Sequence, residues 1–515
     1  MGLFRNILRG KRQNSRQHKA APQPKKQQAA KPLSAEMDAN IADLQALLTQ
    51  TPDLITRRFL IKSTQERAAL VYLDNMTDKV AINNDVLRPL MHETVADAEI
   101  EHIITVGGIR TATDLYQIEQ SVLQGTSVLF VDHSSTATLL DTHGWPQRAI
   151  EDPQMEASLK GAHQGFVETG CQNIALIRRY IPNRELKIKE TSVGERGMTK
   201  LSILYLADVA NPELLQELIE RIDQIDIDAI LSCGELEEFI EDNSYSPFPQ
   251  FITTERPDSV ASHILQGRLA IVIDKSPEVL IGPANFAMFF QTIDDYSNRW
   301  QVSSFIRMLR FLAFFITIFL PSFYIAVISY NFEVIPLRLL LSVGQSRASV
   351  PFPPVLEALI MEITLEMLKE AGIRLPAPIG QTVGIVGAIV IGQATVQAGV
   401  VSNIMVIVVS LTALSSFIIP NNDMSSAIRL IRFPMMLVAF IYGLLGVAIG
   451  MLVLLIHLIT LESLGTPYFS PFSPLRFKDL KDSFIRLPIW KMTTRPLSAR
   501  GIQSKKQASD RGDKK

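Results

Sequence analysis

The sequence contains very little cysteine: only Cys171 and Cys233 occur among its 515 residues. Two cysteines so far apart exclude a disulfide framework and a CxxC metal site. Free cysteines are usually buried and reduced, so we expect both thiols to be buried. The first residues also lack the apolar core of a secretory signal, and we therefore expect the large polar part of the chain to stay in the cytosol.

Motifs of the common enzyme classes are absent from the sequence as well. It contains no GxxxxGK[ST] phosphate loop, no HExxH, no GxSxG and no GxGxxG. The stretch GERGMTK (194–200) has the wrong spacing for a phosphate loop, and it predicts a turn between two strands. The eight histidines show no ligand spacing; His457 falls in an apolar run, where it either lines a polar path or lies near the end of a span. We therefore predict no enzyme activity, no catalytic residue, no metal site and no cofactor.

The net charge is close to zero, but the charges are segregated. Residues 1–31 hold nine Lys/Arg and no acidic residue, 476–515 hold twelve Lys/Arg against four acidic residues, and the middle carries a net charge of −19. Basic tails of this kind bind nucleic acid or anionic membrane surfaces. Because long apolar runs lie nearby, the sequence favours membrane lipids as partners and no nucleic acid.

Composition divides the chain into five predicted regions. Residues 1–36 are rich in Lys, Gln, Ala and Pro, which is typical of a disordered basic arm. Strand and helix patterns then predict a soluble α/β subdomain at 37–182 and a soluble α+β subdomain at 183–300. A membrane domain at 301–470 and a basic C-terminal tail at 471–515 complete the chain.

Local patterns predict several elements of the soluble subdomains. Strands are expected at ERAALVYLD (66–74), SVLFVD (127–132), RELKIKE (184–190) and TKLSILYLADV (199–209), and a hairpin is expected between 268 and 284. Helical spacing is found at 169–181 and at NPELLQELIERI (211–222), where Asn211 can cap the helix and Pro212 suits its first position.

Long uncharged runs predict about four transmembrane helices. Residues 311–330 are uncharged, and 48 uncharged residues separate Arg374 from Asp423, which is enough for two spans with a turn near 399–403. The predicted spans lie near 311–330, 379–399, 403–420 and 433–460. Four spans would place both termini in the cytosol, although Arg429 and Arg432 would then lie in an outer loop, against the positive-inside rule.

The span at 379–399, IGQTVGIVGAIVIGQATVQAG from its first residue, combines small residues with amides. A stripe for close helix packing is formed by Gly380, Gly384, Ala388 and Gly392. The opposite face carries Thr382, Val386, Ile389, Gln393 and Gln397. Two interpretations stay open: a packed bundle in which the glutamines bond between helices, and an oligomer in which this second face lines a pore with an apolar constriction.

The preceding stretch, PPVLEALIMEITLEMLKEAG (353–372), has the periodicity of an amphipathic helix. We expect this helix to lie at the membrane interface with its carboxylates in water. In a ring of subunits, Glu362 and Glu366 would form an acidic collar that concentrates cations; a solvated helix face is the alternative.

Four long stretches, in order, resemble the A subunit of the GerA-type spore germinant receptors. They are LLDTHGWPQRAIEDPQMEASLKGAHQGFVE (139–168), GERGMTKLSILYLADVANPEL (194–214), FPQFITTERPDSVASHILQGRLAIVID (248–274) and RASVPFPPVLEALIMEITLEMLKEAGIRLPAPIGQTVGIVGAIVIGQATVQAGVVSNIMVIVVSLTALSSFIIP (347–420). The resemblance covers about 51–477. One departure is KGAHQGF (160–166), where the family usually has Arg-Gly-Pro and an acidic residue before Gly-Phe.

The resemblance implies a two-part α/β cytosolic domain followed by an α-helical polytopic membrane domain, with about four spans and the amphipathic interfacial helix. It implies partners too: a transporter-like B subunit that binds the nutrient, a C-subunit lipoprotein, and further copies of the A subunit. The A subunits would form a nutrient-gated channel that releases monovalent cations across the inner spore membrane. The open alternatives are a non-conducting scaffold, a secondary transporter, and a related membrane protein that amplifies ion release without sensing nutrient.

Overall fold

The computed structural model describes residues 31–92, 100–144, 160, 163–376, 392–477 and 479–506. These residues form two compact units. Unit 1 consists of the described residues of Met1–Thr49 and Asp53–Trp145. Unit 2 consists of Gln50–Pro52 and the described residues of Pro146–Lys515.

Unit 1 contains a five-stranded antiparallel sheet in the order β1-β2-β4-β5-β3. Its strands are β1 Leu54–Leu60, β2 Arg67–Leu73, β3 Ile109–Ala112, β4 Ser127–Val131 and β5 Ala137–Leu140. Its α-helices are α1 Met37–Leu47, α2 Lys79–Ala81, α3 Arg88–His92, α4 Ile100–Ile103 and α5 Leu115–Leu123, with a π-helical turn at Ile82–Leu87 joining α2 to α3. The two strands predicted at 66–74 and 127–132 are confirmed as β2 and β4; β4 is buried along its whole length, which explains its unbroken apolar run.

Unit 2 begins with a second five-stranded antiparallel sheet, in the order β6-β7-β9-β10-β8. Its strands are β6 Leu186–Val193, β7 Thr199–Leu206, β8 Ile252–Thr254, β9 Leu269–Ile273 and β10 Val279–Gly282. Its helices are α6 Gly170–Tyr180, α7 Pro212–Asp223, α8 Cys233–Ile240 and α9 Pro257–Ile264. The predicted β6, β7, hairpin and α7 are confirmed, and the Asn211 side chain caps α7 by accepting from the Glu213 amide.

Two details of this sheet bear on the sequence expectations. The stretch 194–200 forms the turn between β6 and β7, and Gly194 there adopts φ +94° with the Asp228 carbonyl too close for a Cβ. Helix α6 shares a core with the second sheet, where Ile174 and Ile177 pack in one cluster with residues of β6, β7 and β9. The helix expected at 169–181 therefore packs with the second sheet and not with the first. The predicted boundary at 182 is wrong for this reason, because the two subdomains divide before this helix.

The rest of unit 2 is mostly helical. Its helices are α10 Asp294–Ser297, α11 Trp300–Ser329, α12 Leu337–Arg347, α13 Pro354–Arg374, α14 Asn403–Ile418 and α15 Asn422–Thr460. Short 3-10 turns lie at Phe286–Phe290, Phe332–Val334, Asp479–Asp482, Ile489–Lys491 and Leu497–Ala499, and a two-stranded ladder joins β11 Glu462–Ser463 to β12 Thr466–Pro467. By length and composition, α11 and α15 are the described helices able to cross a bilayer. The count of four spans therefore stays a prediction.

Helix α15 is a hairpin of two antiparallel legs. Gly443 interrupts it with φ 61° and ψ −143°. A Cβ on Gly450 would collide with the Met435 sulfur, although fifteen residues of continuous helix would separate those two positions by about 22 Å. The single span predicted at 433–460 is therefore the end of one leg plus the whole of the next.

Both ends of this hairpin return to the second sheet. At one end Pro420 and Asn421 line a cavity together with Ile252 of β8. At the other end the His457 Nε2 lies 2.8 Å from the Ser246 Oγ. Gly443 lies at the far tip, beside Tyr330 and Asn331 at the end of α11. The chain thus leaves the sheet along α11 and comes back to it along the second leg of α15.

The described part of the basic C-terminal tail packs against the second sheet. The Ile502 amide donates to the Val209 carbonyl at 2.8 Å, and Ser498 and Ala499 are buried. The Arg486 guanidinium donates to the Asp295 carbonyl at 2.7 Å. The composition predicts that the basic tail binds lipid. In the structure, part of this tail instead connects the second sheet to the segment before α11.

Candidate functional site: a buried charge network

A buried ion pair joins α13 to the first leg of α15. The Arg432 Nη2 lies 2.9 Å from the Glu362 Oε2, and the two side chains are only 2% and 1% exposed. Among the described residues, neither carboxylate oxygen of Glu362 has a partner in hydrogen-bond geometry. The attraction between the two charges therefore has to offset most of the cost of removing them from water.

Two further carboxylates of α13 meet arginines. Glu366 pairs with the Arg429 Nη1 at 2.9 Å and with the Arg432 Nη2 at 3.3 Å. Glu357 is fully buried, pairs with Arg347 at 3.2 Å and accepts from the Ser402 amide at 2.9 Å. We call the residues Arg347, Glu357, Glu362, Glu366, Arg429 and Arg432 the charge network.

The apolar side of α13 points outward. Leu356, Ile360, Ile363 and Met367 are between 37% and 60% exposed. A soluble helix buries this side and exposes its charges, whereas surrounding hydrocarbon favours the arrangement seen here. The expectation that the carboxylates of this helix lie in water is therefore wrong for Glu357 and Glu362, because they turn inward to meet arginines.

The charge network borders a large cavity. Helices α13, α14 and the first leg of α15 surround a space of about 680 Å³. One part of its wall is charged, with Glu362, Glu366 and Lys369 of α13, and another part is apolar, with Leu414 and Phe417 of α14. Such a space can hold water or ions on one side and hydrocarbon on the other.

The structure describes only part of the predicted pore-lining face. Gln393 and Gln397 are exposed in the single chain, and Gly392 has open space where a Cβ would be. Thr382, Val386 and Ile389 of that face, and Gly380, Gly384 and Ala388 of the small-residue stripe, lie outside the described residues. The pore face and the packing stripe stay predictions, as does the acidic collar of Glu362 and Glu366.

A second charge cluster joins α10, α11 and the tail. Arg307 of α11 donates to Asp295 and to Asp482 of the tail, both at 2.7 Å. Arg310 also reaches Asp295, at 3.0 Å. The Tyr296 hydroxyl donates to the Asp482 carboxylate at 2.6 Å. These contacts tie the start of α11 to both α10 and the tail.

The loop between α14 and α15 contacts an acidic cleft of the sheet. Glu237, Glu278 and Asp423 border a cavity of about 160 Å³ there. Burial raises the pKa of Glu237 to about 7, and the Phe251 amide, which donates to its carboxylate, works in the opposite direction. The sheet and the first leg of α15 therefore share an electrostatic environment.

Neither thiol nor His457 has a chemical role that this geometry shows. Cys233 is buried, and burial raises the pKa of its thiol to about 12. Cys171 is exposed, which differs from the expectation that both are buried. His457 contacts Ser246 and Phe248, so it lies at the sheet end of its leg. Within the described residues, no group of His, Cys, Asp and Glu is arranged to hold a metal.

Sequence reasoning missed the arginine half of the charge network. Arg429 and Arg432 were assigned to a loop because the run before them ends at Asp423 and the next apolar run begins after them. Their spacing of three residues places both arginines on one face of a helix, but it does not say which carboxylates they meet.

Comparisons with known proteins give a consistent result. The sequence model of the family described as Bacillus/Clostridium GerA spore germination protein matches residues 42–498. Spore germination protein KA of Bacillus subtilis (strain 168) is 37% identical over 485 residues, which is 93% of this chain and 89% of the relative. The uncharacterized membrane protein YfkQ of the same strain is 40% identical over 471 residues, or 90% of this chain and 92% of the relative.

Other similar proteins come from related bacteria. Spore germination protein GerLA of Bacillus cereus is 36% identical over 450 residues, which is 86% of this chain and 92% of the relative. A solved structure, the N-terminal domain of the A subunit of the Bacillus megaterium spore germinant receptor GerK3, is 29% identical. It matches 50% of this chain and 98% of that one with a TM-score of 0.40.

Proposed function

Because the chain belongs to the GerA family of spore germination proteins, we propose that it is the A subunit of a nutrient germinant receptor. In this proposal several copies form a nutrient-gated channel in the inner spore membrane. The channel releases monovalent cations when germination begins. A transporter-like B subunit and a lipoprotein C subunit are its partners, and the nutrient binds to the B subunit.

The observation that carries the proposal is the direction in which α13 faces. Glu357 and Glu362 are buried inside the helical region against arginines. Leu356, Ile360, Ile363 and Met367 of the same helix face outward. Ionisable groups are expensive inside a membrane, and where they occur they commonly mark ion paths. A scaffold that only anchors its partners would need no such buried ion pairs.

The path through the oligomer is assigned to the face of Thr382, Val386, Ile389, Gln393 and Gln397. Gln393 and Gln397 are exposed in the single chain, which leaves both amides free to face an axis shared by several copies. The stripe of small residues packs one copy against the next. Val386 and Ile389 form an apolar constriction that closes when water leaves it.

In this proposal the ion pairs of the charge network stabilise the closed state of the channel. Glu362 and Glu366 make an acidic collar only when Arg429 and Arg432 withdraw, because in this structure the arginines neutralise them. These arginines lie on the leg of α15 that begins at Asn422, next to the sheet. Opening a channel from 1% to 99% requires about 5.5 kcal/mol of differential binding, which the partners must supply through the sheet and this leg.

The proposed topology has both ends of the helical region on the cytosolic side. Helix α11 leads away from the sheet, α14 ends beside it at Pro420, and the two legs of α15 lead away from it and back. Each leg of α15 is close to the roughly 20 residues that cross a bilayer. Arg429 and Arg432 then lie near the cytosolic side, in agreement with the positive-inside rule.

Ion flux tests this function directly. The purified chain is placed in liposomes alone and with its B-type and C-type partners, and the efflux of K⁺ is recorded with and without candidate nutrients. Nutrient-dependent efflux that requires this chain supports the channel. If an oligomeric preparation gives no efflux in any combination, the chain is a non-conducting scaffold; efflux that ignores nutrient in every combination assigns it to amplifying ion release.

Variants in the same assay locate the path. Val386→Ser adds a hydroxyl to the apolar constriction and should produce a leak without nutrient, whereas Val334→Ser, at an exposed position outside the path, should not. Glu366→Gln should lower the preference for cations over anions, measured from the reversal potential. Glu370→Gln, an exposed neighbour, is its control. Equal leaks from both valine variants would place the constriction elsewhere, and an unchanged reversal potential would refute the collar.

A further inference from the structure

A cavity at the junction between the second sheet and the helical region has no role in the proposed path. It measures about 250 Å³ and lies between α9, the segment leading into α11, and the loop Pro420–Asn421. Its wall includes Arg256, Ser259, Ser262, His263 and Phe289. We call it the junction cavity.

The charged groups of the junction cavity are already paired. The Arg256 guanidinium donates to the Asp258 carboxylate at 3.1 and 2.8 Å, and its Nη1 lies 3.5 Å from Asp294. His263 adds no charge at neutral pH, because burial and then the nearby Arg268 lower its pKa to about 3. The cavity therefore offers neither a free anion nor a free cation to a ligand.

Its remaining polar groups are neutral. Within the described part of the chain, the hydroxyls of Ser259 and Ser262 make no hydrogen bond to another protein group. The amide of Asn421 also faces the cavity; its Oδ1 accepts from the Met424 amide at 2.8 Å, and its Nδ2 is left for another partner. Two hydroxyls, an imidazole and an amide can each donate to, or accept from, a hydroxyl group.

The rest of the lining is apolar, with Ile252, Met288 and Phe289. A mixed wall of this kind binds a molecule that has both C–H surface and several hydroxyl groups. The volume corresponds to roughly eight waters at their liquid density, which is enough room for one pentose or polyol. We propose that the junction cavity binds one small, uncharged, hydroxyl-rich solute of the monosaccharide or polyol class.

The position of the junction cavity gives such binding a consequence. One wall ends in Tyr296, which donates to Asp482 in the cluster that holds the start of α11. Another wall is the loop that begins α15 and leads to Arg429 and Arg432. A solute held between these walls favours whichever state keeps them at this separation. This regulatory role rests on the proposed function, whereas the binding itself does not.

Calorimetric titration of the full chain in lipid nanodiscs tests the binding. The probes are D-xylose, its anion D-xylonate, and n-pentanol as an apolar molecule of similar carbon number. We expect D-xylose to bind saturably with one site per chain, and both other probes to bind at least tenfold more weakly. If none of D-xylose, xylitol or myo-inositol gives saturable heat, or if D-xylonate binds more tightly than D-xylose, the proposal is wrong.

Two variants place the site. Ser262→Leu fills the cavity and should abolish D-xylose binding, and Ser259→Leu should do so independently. Ser192→Leu, at an exposed position of β6, is the matched control and should bind like the parent. A thermal unfolding curve confirms that each variant is folded. Unchanged binding in both cavity variants would refute the assignment to this cavity. The titration does not depend on ion flux. The solute-binding proposal and the channel proposal can therefore fail independently of each other.

Discussion

Arg432 is only 2% exposed and pairs with two carboxylates of the charge network, Glu362 and Glu366. Replacing it with glutamine leaves the Glu362 carboxylate buried without its countercharge. Breaking a buried pair in this way costs about 3–5 kcal/mol. We therefore expect Arg432→Gln to lower the free energy of unfolding by about that amount, measured by titrating the reconstituted chain with denaturing detergent.

The matched control for this experiment is Arg338→Gln, because Arg338 is exposed on α12; its unfolding curve should match that of the parent. The double variant Glu362→Gln with Arg432→Gln removes both charges and should recover part of the loss. If Arg432→Gln unfolds like the parent, the ion pair does not contribute to the free energy of unfolding. It then cannot stabilise the closed state as proposed.

Glu241 predicts how stability depends on pH. Burial, followed by the charges of Glu237, Glu238 and Asp242, raises the pKa of Glu241 to about 8. A carboxyl whose pKa is raised on folding binds its proton more tightly in the folded state, so the free energy of unfolding falls as pH rises from about 4.5 toward 8. Glu241→Gln should reduce this fall, measured from unfolding midpoints between pH 5 and pH 8. Glu195→Gln, at an exposed position, should leave the pH profile as in the parent; an equal change in both variants would refute the assignment.

Among the elements, the hairpin of α15 depends on one residue. Gly443 adopts φ 61° and ψ −143°, a region that is essentially restricted to glycine. A Cβ there would also lie 3.0 Å from the Asn331 Oδ1 and 3.1 Å from the Tyr330 Cβ. We expect Gly443→Ala to lower the free energy of unfolding by about 1–3 kcal/mol, measured by the same detergent titration.

Gly344 provides the comparison for that substitution, since it lies within α12 and has open space where a Cβ would be. Gly344→Ala should be neutral or stabilising by up to about 1 kcal/mol, because alanine is the better helix former. Equal effects of the two substitutions would mean that the tip of the hairpin tolerates a side chain.

The same elements show how far sequence patterns reach. The predicted strands of both sheets follow short apolar runs bounded by polar residues, and α7 begins at the cap that Asn211 predicts. Strands β1 (LITRRFL) and β3 (IRTA) are not predicted, because polar residues interrupt their apolar positions. The hairpin was missed because length and lack of charge do not distinguish one long span from two. Gly443, Gly446 and Gly450 are the sequence signal, since the last two lie where the second leg touches Val438 and Met435 of the first.

The candidate site was harder to predict than the fold for a physical reason. The periodicity of α13 gathers Leu356, Ile360, Ile363 and Met367 on one side, while the side of Glu362 also carries the buried Val355, Ala358 and Met361. It does not say which side faces the protein, because that depends on whether water or hydrocarbon surrounds the helix. Pairing Glu362 with Arg432 requires knowing that α13 and α15 are neighbours, and their separation of about seventy residues leaves no local pattern.

At the scale of the whole molecule, three sets of contacts connect the second sheet to the charge network. The tail and Asp295 hold the start of α11, the loop at Pro420–Asn421 contacts the sheet, and the first leg of α15 carries Arg429 and Arg432 to the carboxylates of α13. A change at the sheet can therefore reach the charge network through one continuous helix leg. In the proposed mechanism this leg moves between two states, and both the partners and the ions would have to bind one of these states more tightly than the other.

The direction of that leg yields the last prediction. The proposed topology places Asn422, which is exposed, on the cytosolic side, whereas four spans with a loop at 421–432 would place it outside. Single cysteines are introduced at Asn422 and at Glu333, which is exposed beyond the end of α11, in a chain with Cys171 and Cys233 replaced by serine. A membrane-impermeant maleimide added to sealed right-side-out vesicles should label Glu333→Cys and leave Asn422→Cys unlabelled until detergent is added. Labelling of Asn422→Cys in sealed vesicles would place Arg429 and Arg432 outside, and the link from the sheet to the charge network would then be lost.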